Sequence, residues 1–218
     1  MLILLLGLPG VGKGAIARKL NKNFNFEIFS TGELLRKEIR ENSSLGQMVK
    51  PLVTTGKQVS DDMMINLVKE RLATKGNIIL EGFPKNVAQA QALDAFMEDN
   101  GLQLDLVLNF HAPEDVLKER VRQRRICSNC SAVYNLKNFP PQVENTCDHC
   151  GNSLTKRADD DEAFLLARLD RYIKNSTPLL DYYRDLGMLK DIDADLPLLE
   201  VYYEVIASSV KFTQDTFK

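Results

Sequence analysis

The sequence predicts an α/β fold built on a parallel sheet with helices over both faces. Short apolar runs of strand length alternate with helical patterns along the whole chain. The runs at 2–6 and 78–80 are unbroken, as in strands buried on both sides. The first run stops at a glycine-rich turn, Gly7-Leu8-Pro9-Gly10-Val11-Gly12-Lys13, and a helix-like stretch follows it.

The elements follow in order. After the first helix, residues 26–29 read as a second strand, and Ser30 or Thr31 caps a helix over 33–40. A polar break at 41–44 leads to a short helical stretch interrupted by Pro51. Ser60 then starts a helix with Met64, Leu67, Val68 and Leu72 on its apolar face. Residues 30–59 therefore form a small helical insert. A strand over 77–80, a helix over 86–98, a strand over 104–110 and a helix over 113–125 complete the alternation. A long helix opens near 157–162 with Phe164, Leu165, Leu169 and Ile173 as apolar markers; Pro178 marks its break, and Arg171 reads as a solvated charge. Residues 189–192 form the last strand and 198–210 a closing helix.

At 218 residues the chain buries one substantial core with small inserts. A formal charge of −2 and a pI near 5.8 argue against a general nucleic-acid or membrane-surface binder. No stretch approaches the roughly 20 apolar residues that span a bilayer. The apolar N-terminus is too short for a secretory signal and lacks a basic lead, so the cytoplasm is the expected compartment.

Three clusters carry chemistry. Strand, glycine turn and helix with a first-turn lysine make a phosphate-binding loop: backbone N–H groups converge on an anion, and Lys13 reaches the β- and γ-phosphates. The Ser or Thr that often follows such a lysine is absent, since Gly14 and Ala15 stand there. The strand before Gly82 ends in Glu81, where a nucleotide-binding sheet uses a carboxylate to organise Mg²⁺ through its waters. Lys85 follows at the same edge. Cys127-x-x-Cys130 and Cys147-x-x-Cys150, sixteen residues apart, have the spacing of a closed four-thiolate zinc site. Two disulfides are the alternative, which a reducing compartment disfavours. Between them Val133, Tyr134, Leu136 and Phe139 supply nearly all the apolar content of this segment, so ligation must supply its order.

Taken together, GLPGVGKG at 7–14, STGELLR at 30–36, GKQV at 56–59, EGFPK at 81–85, RQRRICSNC at 122–130, CDHCG at 147–151 and KRADDDE at 156–162 resemble the adenylate kinases of the long type, whose lid carries zinc in many bacterial members. The resemblance covers nearly the whole chain. It implies a phosphate-loop nucleotide-kinase fold with a five-stranded parallel sheet. The core would be 1–29, 60–125 and 164–218, with a monophosphate-binding insert at 30–59 and a zinc-ribbon lid at 126–163. The reaction it implies is reversible transfer of the γ-phosphoryl of MgATP to AMP, giving ADP, by a monomer with one structural zinc and no nucleic-acid or membrane partner.

By matching position, the resemblance assigns the phosphate clamp to Lys13, Arg36, Lys85, Arg124, Arg157 and Arg168. The ATP side takes Gly10, Val11, Gly12, Lys13, Gly14, Ala15, Arg120, Arg124, Val133 and Tyr134. The AMP side takes Thr31, Arg36, Lys57, Gln58, Val59, Gly82, Phe83, Pro84, Lys85, Gln89, Arg157 and Arg168, with the Gln89 amide reading the adenine edge. Glu81 serves Mg²⁺, and Asp159 and Asp160 meet arginines as the lid closes. Arg124 and Arg168 are expected on core helices. Three positions depart from the family pattern: Ala15 for Thr, Glu81 for Asp and Lys85 for Arg. The last exchanges a bidentate fork for a point charge. A kinase of another monophosphate, or a weakly active nucleotide-binding protein, are the alternatives.

Overall fold

The computed structural model describes every residue except 56, 73–75, 158, 159, 161 and 209–218, and only the backbone of 162–164. In chain order β1 (Leu2–Gly7) leads into α1 (Lys13–Phe24), β2 (Glu27–Ser30), α2 (Thr31–Arg40), α3 (Ser44–Thr54) and α4 (Asp61–Leu72). Then come β3 (Ile78–Glu81), α5 (Val87–Asp99), β4 (Leu106–His111) and α6 (Glu114–Arg122). Three short strands follow, β5 (Arg124–Cys127), β6 (Val133–Asn135) and β7 (Leu154–Thr155). The chain returns through α7 (Glu162–Asp185), β8 (Leu189–Asp193) and α8 (Leu198–Ala207).

The main sheet has five strands in the order β2-β3-β1-β4-β8, all paired in parallel. Its central strand is the unbroken run at the N-terminus. Ile3 and Leu5 point into one core with α1, α6 and α8; Leu2, Leu4 and Leu6 point into the other with α4, α5 and the end of α7. That is why the run shows no polar alternation. The order of strands reverses at β1, between β3 and β4, so a crevice opens at the carboxyl ends of these strands. Gly7, Glu81 and Ser30 end their strands there.

The insert helices α2 and α3 hang from this edge. The Ser30 hydroxyl accepts from Glu33 N–H at 3.4 Å and Ser43 from Gly46 N–H at 2.9 Å, each capping a helix start. The second small sheet, ordered β6-β5-β7, is antiparallel; its strand β5 ends on Cys127, and the turns beside it carry the other three cysteines. It meets the insert where Arg40 donates to Ser131 at 3.3 Å.

Several expectations need correction. Pro51 and Pro178 interrupt nothing: both lie inside continuous helices. A proline removes one helical hydrogen bond and crowds the preceding turn, a cost of about 3 kcal/mol. Burial of Val49 before Pro51, and of Leu169, Leu179 and Tyr183 around Pro178, offsets it. Helix α6 stops at Arg122, so Arg124 and Arg125 are not helical but pair with Asn135 and Tyr134 in the small sheet. Arg124 is therefore anchored on the ribbon and not on a core helix. Ile173 is 56% exposed, whereas Leu165 and Leu169 are buried. Phe164 and Asp159 lie outside the described side chains. In the ribbon the buried apolar residues are Tyr134 and Leu154 beside Cys127 and Cys147, while Phe139 is exposed and turned to the cleft.

Candidate functional site

Gly7 leaves β1 at φ +132°, and a Cβ there would lie 2.4 Å from the Phe110 carbonyl oxygen on the adjacent strand. No side chain fits. Gly12, at φ +102°, turns the chain into α1, and its carbonyl accepts from Ala15 N–H at 2.9 Å. The first N–H groups of a 12-residue helix thereby face the crevice, a ready anion site. Lys13 folds its ammonium onto the Gly7 and Leu8 carbonyls at 2.7 and 3.0 Å, bridging the loop it must serve. Burial pushes its pKa down to about 8; Glu81 opposes that shift, and Arg124, Arg168 and Lys85 add to it.

Every nucleotide residue expected from the sequence lines one cleft of about 1460 Å³. A pocket for one small ligand runs to roughly 300–1,000 Å³, so this cleft has room for two. The loop residues Gly10, Val11, Gly12, Gly14 and Ala15 form one wall; Arg120, Val133 and the edge of Tyr134 flank it. Arg120 is pinned by the Ala194 carbonyl at 2.7 Å. The Tyr134 hydroxyl, by contrast, points into the ribbon, accepting from Asp148 N–H at 2.8 Å and lying 3.4 Å from Cys147 Sγ.

The opposite wall comes from Thr31, Arg36, Lys57, Gln58, Val59, Gly82, Phe83, Pro84, Lys85 and Gln89. Thr31 donates to the Gly82 carbonyl at 3.0 Å, tying α2 to the end of β3. The buried Gln89 amide donates to Asp61 at 2.6 Å and accepts from Lys85 N–H at 2.7 Å. One N–H and one acceptor position remain for a base edge.

Carboxylates organise the arginines. Glu33 accepts from Arg36 and from Arg157, each at 2.8 Å, joining the insert to the segment after the ribbon. Burial alone would raise Glu33, but Arg36, Arg157 and Arg40 hold its carboxyl below the ordinary value. Fully buried Asp160 takes Arg124 through both oxygens, Nε at 2.7 Å, with Arg168 3.8 Å away.

Two arginines on the cleft were not given a place in it by any motif. Arg18 reaches back along α1, its Nη1 3.5 Å from where a side chain on Gly14 would begin, with Glu81 Oε2 3.8 Å from the same point. The backward tilt of helical side chains was the available signal. Arg171 also lines the cleft, not the solvent face.

The four cysteine sulfurs lie within 4.8 Å of one another, with Cys127 to Cys150 at 3.4 Å and Cys130 to Cys147 at 3.5 Å. A disulfide needs about 2.05 Å. Tetrahedral zinc with about 2.3 Å bonds places sulfurs about 3.8 Å apart, so this donor set fits that ion. The cysteines do not line the cleft.

A phosphate loop at the switch point of a parallel sheet, facing cations from three chain segments across a two-ligand cleft, defines a nucleotide phosphotransferase. Sequence comparison narrows the class. The chain belongs to the adenylate kinase family, whose model, described as Adenylate kinase, matches residues 5–188. It is 41% identical over 208 residues to the adenylate kinase of Bacillus licheniformis, covering 94% of this chain and 96% of that one. Against the Moorella thermoacetica enzyme identity is 42% over 196 residues, 88% and 90% of the two chains. Against that of Clostridioides difficile it is 38% over 211 residues, 95% and 98%.

Proposed function

We propose that this enzyme catalyses reversible transfer of the γ-phosphoryl of MgATP to AMP, giving ADP on both sides. The observation that carries the reading is the convergence of Lys13, Arg36, Lys85, Arg124, Arg157 and Arg168 on one cleft wide enough for two nucleotides. The donor would lie along the phosphate loop with its base by Arg120 and Val133. The acceptor would lie against Thr31, Lys57, Gln58, Val59, Gly82, Phe83, Pro84 and Gln89.

Phosphoryl transfer asks for little covalent chemistry from the protein; positioning and charge do the work. The loop N–H groups and Lys13 hold the donor's β- and γ-phosphates. Arg124, Arg157 and Arg168 stabilise the charge that spreads over the migrating group, while Arg36 and Lys85 align the acceptor phosphate. Mg²⁺ bound with ATP neutralises phosphate charge, and Glu81, at the end of β3 facing the loop, would hold its waters. The segments would divide the labour as insert (30–59), lid (126–163) and core, and the lid pressed on the insert would keep water from acting as acceptor. One zinc on Cys127, Cys130, Cys147 and Cys150 would be structural, since four protein ligands leave it no open position. We place the enzyme in the cytoplasm as a monomer; no helix among the described residues is long and apolar enough to cross a membrane.

A coupled assay of ADP formation from MgATP with AMP, UMP, CMP and GMP tests the reading. AMP should be preferred by a wide margin. A better acceptor among the others would contradict the assignment, as would the absence of turnover with AMP.

A further inference from the structure

Helix α7 turns one stripe toward the cleft: Arg168, Arg171, Tyr172 and Asn175 all line it. Their i, i+3, i+4, i+7 spacing is one helix face. Arg171 thus follows Arg168 by one turn on the working side of the helix.

What it faces is a cluster of like charge. Burial lowers the pKa of Lys85 first; among charges Arg171 acts on it most strongly, ahead of Arg168 and Arg36. Asp61 opposes them, and that carboxylate already accepts from Asn86 at 2.9 Å and Gln89 at 2.6 Å. Glu33 pairs with Arg36 and Asp160 lies 3.8 Å from Arg168, yet three guanidinium groups and an ammonium gathered on one wall still favour an added anion. The charges that act most strongly on Lys13, at the donor end, are Glu81, Arg124, Arg168 and Lys85; Arg171 is not one of them. Its influence falls on the Lys85 end of the cleft. An ammonium meets a phosphate as a point charge, whereas a guanidinium meets it with two parallel N–H donors.

We propose that Arg171 is a further binding residue for the acceptor, gripping the phosphate of the nucleoside monophosphate with the two-pronged contact that Lys85 cannot make. The inference rests on the reading of the Lys85 end as the acceptor site. Arg171 and Lys85 then act as one unit, and their substitutions should not add.

The test compares Arg171→Gln, Lys85→Arg, the double variant and Arg36→Gln, by steady-state kinetics and by calorimetric titration of AMP. Arg171→Gln should raise both the KM and the Kd for AMP by about tenfold or more, the scale of a lost hydrogen bond to a charged group. The KM for ATP should stay within about twofold. Lys85→Arg in the Arg171→Gln background should recover most of the lost AMP affinity, because it returns a fork to the same phosphate. An unmoved AMP constant in Arg171→Gln would overturn the proposal, as would equal rises for ATP and AMP or a double variant as weak as the single one. If Arg171→Gln does not fold, Arg171→Lys, which keeps the charge and loses the fork, is read by the same criteria. Arg36→Gln separates the two levels. If it too leaves AMP binding unchanged, the acceptor assignment itself fails; if it alone weakens AMP, only the role of Arg171 fails.

Discussion

The main sheet and the cysteine ribbon are held together by different physics. On the faces of the sheet, twenty described residues are buried in one apolar cluster and twenty in the other. The ribbon's cluster has four, and two of those are Cys127 and Cys147. Apolar burial at about 25 cal/mol per Å² suffices for the first and not for the second. A thiolate site with an apparent binding energy of about 10–16 kcal/mol would supply the rest. The two regions are nonetheless not independent in function. β5 runs from Arg124 directly to Cys127, so a cation on the cleft, proposed to meet the reacting phosphoryl, and a proposed metal ligand share one four-residue strand. The ribbon's order is therefore part of the active site's order.

The widest contrast should come from equal truncations in the two regions. Leu108→Ala, at a fully buried site on β4, should cost about 2–5 kcal/mol and lower the main thermal transition. Leu154→Ala in the ribbon should cost on the order of 1 kcal/mol and leave the main transition in place. Calorimetry of both variants decides; equal losses would mean that the ribbon has a core of its own.

Lys13→Met sharpens the division between fold and chemistry. Turnover should fall by a factor on the order of 10²–10³, as when one preorganised donor is lost. Stability should hold or rise, because the substitution removes a charge that burial disfavours. Kinetics beside a melting curve would show it, and unfolding together with lost activity would speak against the role.

The same lysine sets a pH dependence. Its pKa in the folded protein is about 8 against an ordinary 10.5, so charge is lost as pH rises through about 8. The profile of kcat/KM for MgATP should fall above that pH. The profile of kcat should fall later, because bound phosphates raise the lysine's pKa. Stability moves the other way. The cost of keeping the ammonium charged is full below about 8 and is relieved between there and 10.5. Parallel pH profiles of activity and melting temperature test the opposed signs.

The smallest effect concerns Ala15, whose methyl faces the cleft where a hydroxyl would meet the donor phosphates. Ala15→Thr should lower the KM for ATP by about two- to fivefold, a net hydrogen bond of roughly 0.5–1 kcal/mol, with AMP unaffected. A change on the AMP side instead would misplace the donor.

Much of this was legible in the sequence, for physical reasons. Runs buried on both faces cannot hide their pattern, and a loop built of Gly7, Gly10, Gly12 and Lys13 admits few other uses. The cysteine cluster was legible because a four-thiolate site would impose this spacing. The end of α6 was not: Arg120 to Arg125 contains no glycine or proline, and pairing of Arg124 with Asn135 across the ribbon ends the helix. Ile173, an exposed apolar residue, looked like a core marker, and Arg171, which read as an ordinary solvated helix charge, lines the cleft. Only the packing of Leu165 and Leu169 sets which face meets the cleft. That Asp160 meets arginines was expected from the family resemblance; which two it joins, Arg124 and Arg168, is set by the fold and not by local pattern.

Hydrogen exchange of the zinc-loaded and the metal-stripped protein, measured beside turnover, tests the central comparison most directly. The account predicts that stripping abolishes amide protection over 124–155, leaves β1, β3 and β4 protected, and takes most of the turnover with it because Arg124 loses its anchor. Protection lost across the main sheet as well, or a ribbon still protected without metal, would contradict it.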